Sequence, residues 1–195
     1  MGITEFSLTL LNKYLPTVEN KTVMELGSQN LYCSRYPDYP YADKYYNKQG
    51  FHYSCIDLNG ENLALVLDLA KPQKVGVFGV VTDFGTSEHV GIDGKHDPRA
   101  FYNCWLNKHN MCEVGGLIIS ENPKTGNWLG HGFNYVTEDF YKKLAEANAY
   151  EILELGEHPA MGNTTDGLNI YCVLRKTSDK FMTYQKFKTL SFKTS

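Results

Sequence analysis

Four β-forming stretches run along the first half of the chain, and each stops at a carboxylate or just past one. "VMELGSQN" breaks at Glu25-Leu26-Gly27, "YSCIDLNG" at Asp57, "LVLDLAKP" at Asp68 and "VVTDFGTSEHV" at Asp83-Phe84-Gly85. Short apolar runs separated by helical segments assemble as β-α units around a largely parallel sheet. In such an open sheet, ligands bind outside the carboxyl ends of the strands, at the point where strand order reverses. The chain therefore sets a row of carboxylates and tight turns along the edge where a ligand belongs. A glycine after the first strand lets the backbone come close to a ligand. An acid closing the second strand can accept both hydroxyl protons of a ribose.

The remaining elements fit the same plan. Ile3, Phe6, Leu10, Leu11 and Tyr14 recur at helical spacing and Pro16 closes the segment, which predicts an amphipathic helix over residues 1–16. Strands are expected over residues 22–26, 51–56, 63–67, 75–82, 117–119, 150–155 and 168–174. Asp97-Pro98 starts a helix with Phe101, Cys104, Trp105 and Lys108 on one face. Thr137 caps another, with Glu138 and Asp139 in its first turn and Phe140, Leu144 and Ala147 on its inner stripe. Residues 30–50 carry Tyr32, Tyr36, Tyr39, Tyr41, Tyr45 and Tyr46. They read as an insert forming a lid or acceptor wall, or equally as a loop packing its tyrosines on the core. Residues 177–195 read as a solvated tail or edge strand rather than a nucleic-acid arm, basic at Lys180, Lys186, Lys188 and Lys193. No repeat or low-complexity linker divides residues 1–195, so one domain is expected.

Composition removes several function classes. A net charge of −3 gives no general attraction to phosphates, so nucleic acid is not an expected partner. The 5 cysteines are scattered, odd in number and without a Cys-x-x-Cys pair, which favours reduced thiols and a cytoplasmic location. Residues 1–13 lack the basic start and apolar centre of a signal peptide. No apolar run approaches the ~20 residues of a membrane span. Asp83-Phe84-Gly85 matches the metal-holding tripeptide of protein kinases, but no Gly-rich phosphate loop, strand lysine motif or His-Arg-Asp loop accompanies it.

The order "VMELGSQN", "YSCIDLNG", "LVLDLAKP", "VVTDFGTSEHV" and "EVGGLIISENP" resembles class I S-adenosylmethionine-dependent methyltransferases over roughly residues 22–176. The resemblance implies an α/β fold: a Rossmann-like three-layer α/β/α sandwich, with a seven-stranded, mostly parallel sheet whose last strand is antiparallel. It implies S-adenosylmethionine as cofactor. The first loop would wrap the methionine part through Glu25, Gly27, Ser28 and Gln29. Asp57 would bind the ribose, Leu58 and Asn59 would flank the adenine, and Asp68 with Leu69 would face its amino group. Asp83, Phe84 and Gly85 would lie near the sulfonium and the acceptor. "FGTSEHV" followed by "GHGFNYVTEDFY" resembles a subgroup found in bacteria and their viruses. The chain departs from the family in two places. A single glycine, Gly27, opens the first loop where two or three are common, and the step from Glu25 to Asp57 is long for this fold.

Methyl transfer to oxygen benefits from a base that takes the acceptor proton. His89, just past the fourth strand, and His131, after the fifth, are the candidates, with Asp83 beside them. Each histidine has the alternative of a capping or hydrogen-bonded structural role. Glu88 reads as orienting His89 or, preferably, capping a turn. His96 and His109 read as surface-loop and helix-end residues, and His52 and His158 carry no distinct role. No His-x-x-x-His or His-Glu-x-x-His pattern is present, so no metal is expected, with His89, His131 and a carboxylate as the minority alternative. The fourth strand lacks the Asn/Asp-Pro-Pro-aromatic turn of amino-methylating nucleic-acid enzymes, and no Pro-Cys nucleophile is present. The expected acceptor is a small molecule, a sugar or other hydroxylated metabolite, methylated on oxygen or nitrogen; a protein or nucleic-acid acceptor is the alternative if the tyrosine-rich loop and the basic tail form a binding face. Two other readings stay open. One is a non-catalytic S-adenosylmethionine-binding module. The other is a nicotinamide-dependent reductase, for which "ELGSQN" lacks the G-x-G-x-x-G turn.

Overall fold

The computed structural model describes residues 2–160, 167–190 and, for the backbone only, 193–194. Seven strands form the main sheet: β1 (Thr22–Leu26), β2 (His52–Asp57), β3 (Leu65–Val66), β4 (Phe78–Phe84), β5 (Cys112–Pro123), β6 (Tyr150–Pro159) and β7 (Leu168–Lys176). Their order is β3-β2-β1-β4-β5-β7-β6. β1 pairs in parallel with β2 and β4, β2 with β3, and β4 with β5. β7 runs antiparallel to both β5 and β6. The sheet is thus seven-stranded and mostly parallel with an antiparallel last strand, and its order reverses between β1 and β4.

Side-chain alternation in these strands feeds two cores. Val23, Val80, Leu117, Ile119 and Val173 face one side and Met24, Val81, Ile118, Cys172 and Leu174 the other. Helix α1 (Glu5–Tyr14) covers the first side with Leu8, Leu10, Leu11 and Tyr14. A capping box between Thr4 and Ser7 fixes its start. Helix α2 (Ala42–Lys48) joins it there. Helices α3 (Pro98–Met111) and α4 (Glu138–Asn148) cover the other side, starting at the Asp97 and Thr137 caps. Phe101, Trp105, Phe140 and Leu144 fill that core.

Several boundaries differ from the sequence expectation. β4 begins at Phe78 and continues through Asp83 and Phe84, so both residues lie within the strand. The third strand shrinks to Leu65–Val66, because Leu63 is 97% exposed in a turn with left-handed backbone. β5 is extended to Pro123 by its seven-residue pairing with β7. The tyrosine-rich segment is the β1–β2 crossover and carries α2. Tyr45 and Tyr46 are fully buried in the core, so the lid role does not fall to them. The expected tail folds back as helix α5 (Tyr184–Phe187), and Met182, Phe187 and Leu190 enter the core beside Phe101 and Phe140. Apolar residues scattered among lysines in this stretch, without a long periodic run, hide this. The cysteines are all free and buried. Among the described residues no helix is long and apolar enough to cross a membrane.

Candidate active site

A cavity of about 300 Å³ opens at the carboxyl ends of β1, β2 and β4, at the reversal of strand order. That volume lies at the lower end for small-molecule sites. The loop after β1 forms its back wall through Gly27, Ser28 and Gln29. Gly27 has φ of +82°, and a Cβ there would stand 2.4 Å from Thr86 Oγ1 and 2.5 Å from Gln29 Nε2. Gln29 is buried, and its amide donates to Leu26 O at 3.1 Å and to Thr86 Oγ1 at 2.9 Å. The side chains of Gln29 and Thr86 thus fill the space that further glycines would have left open.

Beneath the loop lies Glu25, fully buried in β1. It accepts from Tyr53 Oη at 2.7 Å and from the Gln29 N–H at 3.3 Å, and Tyr46 Oη approaches at 3.4 Å. Burial pushes its carboxyl up to about 8, against these hydrogen bonds. Glu25 does not line the cavity. It anchors the loop that does.

Asp57 closes β2 at the cavity wall, half-buried. Oδ2 accepts the Ser28 N–H at 2.9 Å and Oδ1 the Asn59 N–H at 3.2 Å. Two carboxylate oxygens offer about four acceptor positions, so capacity remains for ligand hydroxyls. Leu58, 70% exposed, and the buried Leu69 add apolar wall. Asn59 sits in the adjoining turn and accepts the Glu61 N–H. Asp68 lines the cavity, its carboxylate shared between the Ala70 N–H and Lys71 Nζ. Ile56, Leu67, Thr86, Val90 and Gly91 also contribute. These are residues that strand-end carboxylates and glycines do not mark.

Gly85 reaches the cavity, but Asp83 does not. Asp83 is fully buried and ion-paired with Lys108 of α3, which is equally buried. It also accepts from Ser87 Oγ at 2.6 Å and from the N–H groups of Thr86 and Ser87 at 3.1 Å. Burial by itself would raise its carboxyl, but Lys108 and these hydrogen bonds hold it below its usual value. Asp83 therefore fixes the turn after β4. The turn presents Glu88 and His89, and His89 lines the cavity.

His89 and His131 meet at 5.0 Å between ring centroids. Burial, and for His89 also its neighbour His131, lowers both imidazoles below their usual value. Glu88, fully buried between them, has Oε1 3.6 Å from His89 Nε2 and 3.9 Å from His131 Nε2. Burial raises its carboxyl to about 8.

A second cavity of about 540 Å³ lies on the same sheet edge. Phe84 lines it while its chain neighbour Gly85 lines the first. Its walls are Phe6, Tyr32, Phe84, Trp128 and Pro159. Its polar floor is Glu121, which accepts from Ser7 Oγ at 2.8 Å and Asn169 Nδ2 at 2.9 Å and contacts His158 Nε2 at 2.8 Å. Phe6 stacks on His158 at 3.7 Å. No distinct role for His158 or Glu121 is legible in the sequence, because α1, β5, β6 and β7 meet only in the folded chain.

No protein-family model and no curated protein matches this sequence. Solved structures do. NodS, an N-methyltransferase from Bradyrhizobium japonicum WM9 in complex with S-adenosyl-L-homocysteine, superposes with a TM-score of 0.63 at 14% identity, over 90% of this chain and 89% of that one. The 1,6-didemethyltoxoflavin-N1-methyltransferase of Burkholderia thailandensis gives 0.61 at 15%, over 87% and 76%. An O-methyltransferase from a multienzyme of Brevibacillus brevis gives 0.55 at 12%, over 94% and 75%. The chain has the Rossmann-like fold of class I methyltransferases.

Proposed function

We propose that this protein is an S-adenosylmethionine-dependent methyltransferase, with the cofactor in the smaller cavity and a small-molecule acceptor in the larger. The observation that carries the reading is Asp57. It is an accessible carboxylate at the end of β2, held by Ser28 of the β1 loop inside a cavity at the reversal of strand order. The neighbouring structures crystallised with S-adenosylhomocysteine share this fold. The filled space over Gly27 disfavours the nicotinamide alternative, which wants an open glycine turn against a pyrophosphate.

In this reading Asp57 accepts the ribose hydroxyls, and Leu58 and Leu69 flank the base with Asp68 at its edge. Gly27, Ser28 and Gln29 face the methionine part. When bound there, S-adenosylmethionine supplies a methyl group on a sulfonium. The aromatic walls of the larger cavity hold the acceptor, and the Glu121, His158 and Asn169 floor takes its polar end. This suits a sugar or hydroxylated metabolite, which offers an apolar face and hydrogen-bonding edges. An acceptor oxygen or nitrogen held there would take that methyl as the carbon–sulfur bond breaks. Its proton would pass to a base, and His89, on the wall of the smaller cavity and with a lowered imidazole pKa, is neutral and ready at pH 7. His131 stands behind it, and Asp83 positions the turn.

Calorimetric titration with S-adenosylmethionine and S-adenosylhomocysteine tests this. Micromolar binding, weakened at least about tenfold by Asp57→Ala, is expected. Absence of binding by either ligand overturns the assignment.

A further inference from the structure

We infer that Glu88, His89 and His131 form a binding site for a divalent first-row transition metal ion. Three donor atoms from two separate segments converge there, all within 4.8 Å of one another. Two of the separations are 3.6 and 3.9 Å, both from Glu88 Oε1 to the histidine Nε2 atoms. Donors that each sit about 2.1 Å from a common ion are separated by roughly 3 to 4.2 Å. The same distances are too long for direct hydrogen bonds. Glu88 Oε1 and His131 Nε2 accordingly have no hydrogen-bond partner among the described residues, although both atoms are buried. A fully buried carboxyl whose Oε1 lacks a partner and is aimed at two imidazole nitrogens leaves coordinating capacity that a cation would fill.

The surroundings hold the three side chains in place. Glu88 Oε2 accepts from Asn122 Nδ2 at 3.3 Å, and Asn122 is fixed in turn by Tyr141 Oη at 2.9 Å. The Glu88 carbonyl accepts the Phe133 N–H at 2.6 Å, tying the β4 turn to the segment that carries His131. His131 is held by its N–H to Trp128 O at 2.9 Å and to Tyr135 Oη at 3.0 Å. Two imidazoles and one carboxylate favour zinc, manganese, iron or cobalt over magnesium or calcium, which prefer all-oxygen shells. Three protein donors also leave coordination positions open, as reactive rather than purely structural sites do. Within the methyltransferase reading, on which this consequence rests, an acceptor oxygen on the ion would lose its proton more readily. The histidines would then position the ion rather than act as free bases.

The ion site is tested without cofactor or acceptor, by titrating zinc into the chelator-stripped full chain and recording the visible absorption of the cobalt form. One ion per chain is expected, at micromolar affinity or tighter, with a cobalt spectrum showing nitrogen coordination. His89→Ala and His131→Ala should each weaken binding by about 100-fold or more, beyond the loss of an outer-shell partner. Both side chains are partly exposed, so circular dichroism should show the variants folded. His52→Ala, exposed on β2 and far from the cluster in the sheet, should bind as the parent does. No ion uptake, or uptake unchanged in the His89→Ala/His131→Ala double variant, overturns the site. Cofactor titration of the same preparations separates this outcome from failure of the methyltransferase reading.

Discussion

Asp57 and Asp83 lie at the carboxyl ends of β2 and β4, the two strands that flank β1, yet they have opposite surroundings. Asp57 meets two backbone N–H groups and the cavity. Asp83 meets a buried lysine, a serine hydroxyl and two N–H groups, with no exposure left. The difference comes from what crosses above each strand end. After β2 the chain turns away through the exposed Leu58 and Asn59. After β4 it folds into a tight turn while α3 brings Lys108 underneath. The same strand-end carboxylate thus faces an open cavity in one place and braces a buried turn in the other. A buried pair of this kind adds little net stability but is expensive to break from one side.

Four measurements break or sharpen this contrast. Lys108→Ala leaves Asp83 buried and unpaired, and denaturant unfolding should show a loss of about 3–5 kcal/mol; a loss below 1 kcal/mol would place the pair in solvent. The second concerns Glu25, the buried carboxylate between the two. Its folded pKa is raised, so the folded state holds the proton more tightly than the unfolded chain. Its contribution to stability is complete below about pH 4.5 and is lost as pH rises towards about 8. The protein should therefore lose a few kcal/mol across that window, and Glu25→Gln should flatten the slope in the same unfolding series. Gly27→Ala forces a side chain into left-handed backbone against Thr86 and Gln29, at a cost of about 1–3 kcal/mol. Its thermal unfolding midpoint should fall, and S-adenosylhomocysteine affinity with it. Asp57→Asn should leave the midpoint within error yet weaken S-adenosylhomocysteine by about 1.5–3 kcal/mol, measured calorimetrically. Equal effects of Asp57→Asn and Lys108→Ala on stability would erase the contrast.

The sequence made the parallel strands readable because buried strands leave continuous apolar runs and their ends carry turn residues. Gly27, Asp57, Asp68 and Leu69 were legible for that reason. Helix starts at Asp97 and Thr137 were legible because a cap is a local hydrogen bond between neighbours. Less local facts were not. Tyr45 and Tyr46 repeat at a spacing that suits a loop as well as a helix, and only the crossover geometry buries them. Phe187 and Leu190 needed the α3 and α4 surfaces to be recognised as core. His109, placed by sequence at a helix end near the surface, is buried with its ring on Tyr150 Oη at 2.7 Å.

By itself, then, the amino-acid order determined the α/β class, the direction of the first strands and the sheet edge at which the cavities open. These depend on periodicity and on turns, which are properties of neighbouring residues. Tertiary structure decided which strand-end acids stay accessible and gave Glu88 a place between two histidines. It also joined Glu121, His158 and Asn169 into one polar floor. Those outcomes depend on segments 25 to 48 residues apart meeting in space, and no local pattern records such meetings.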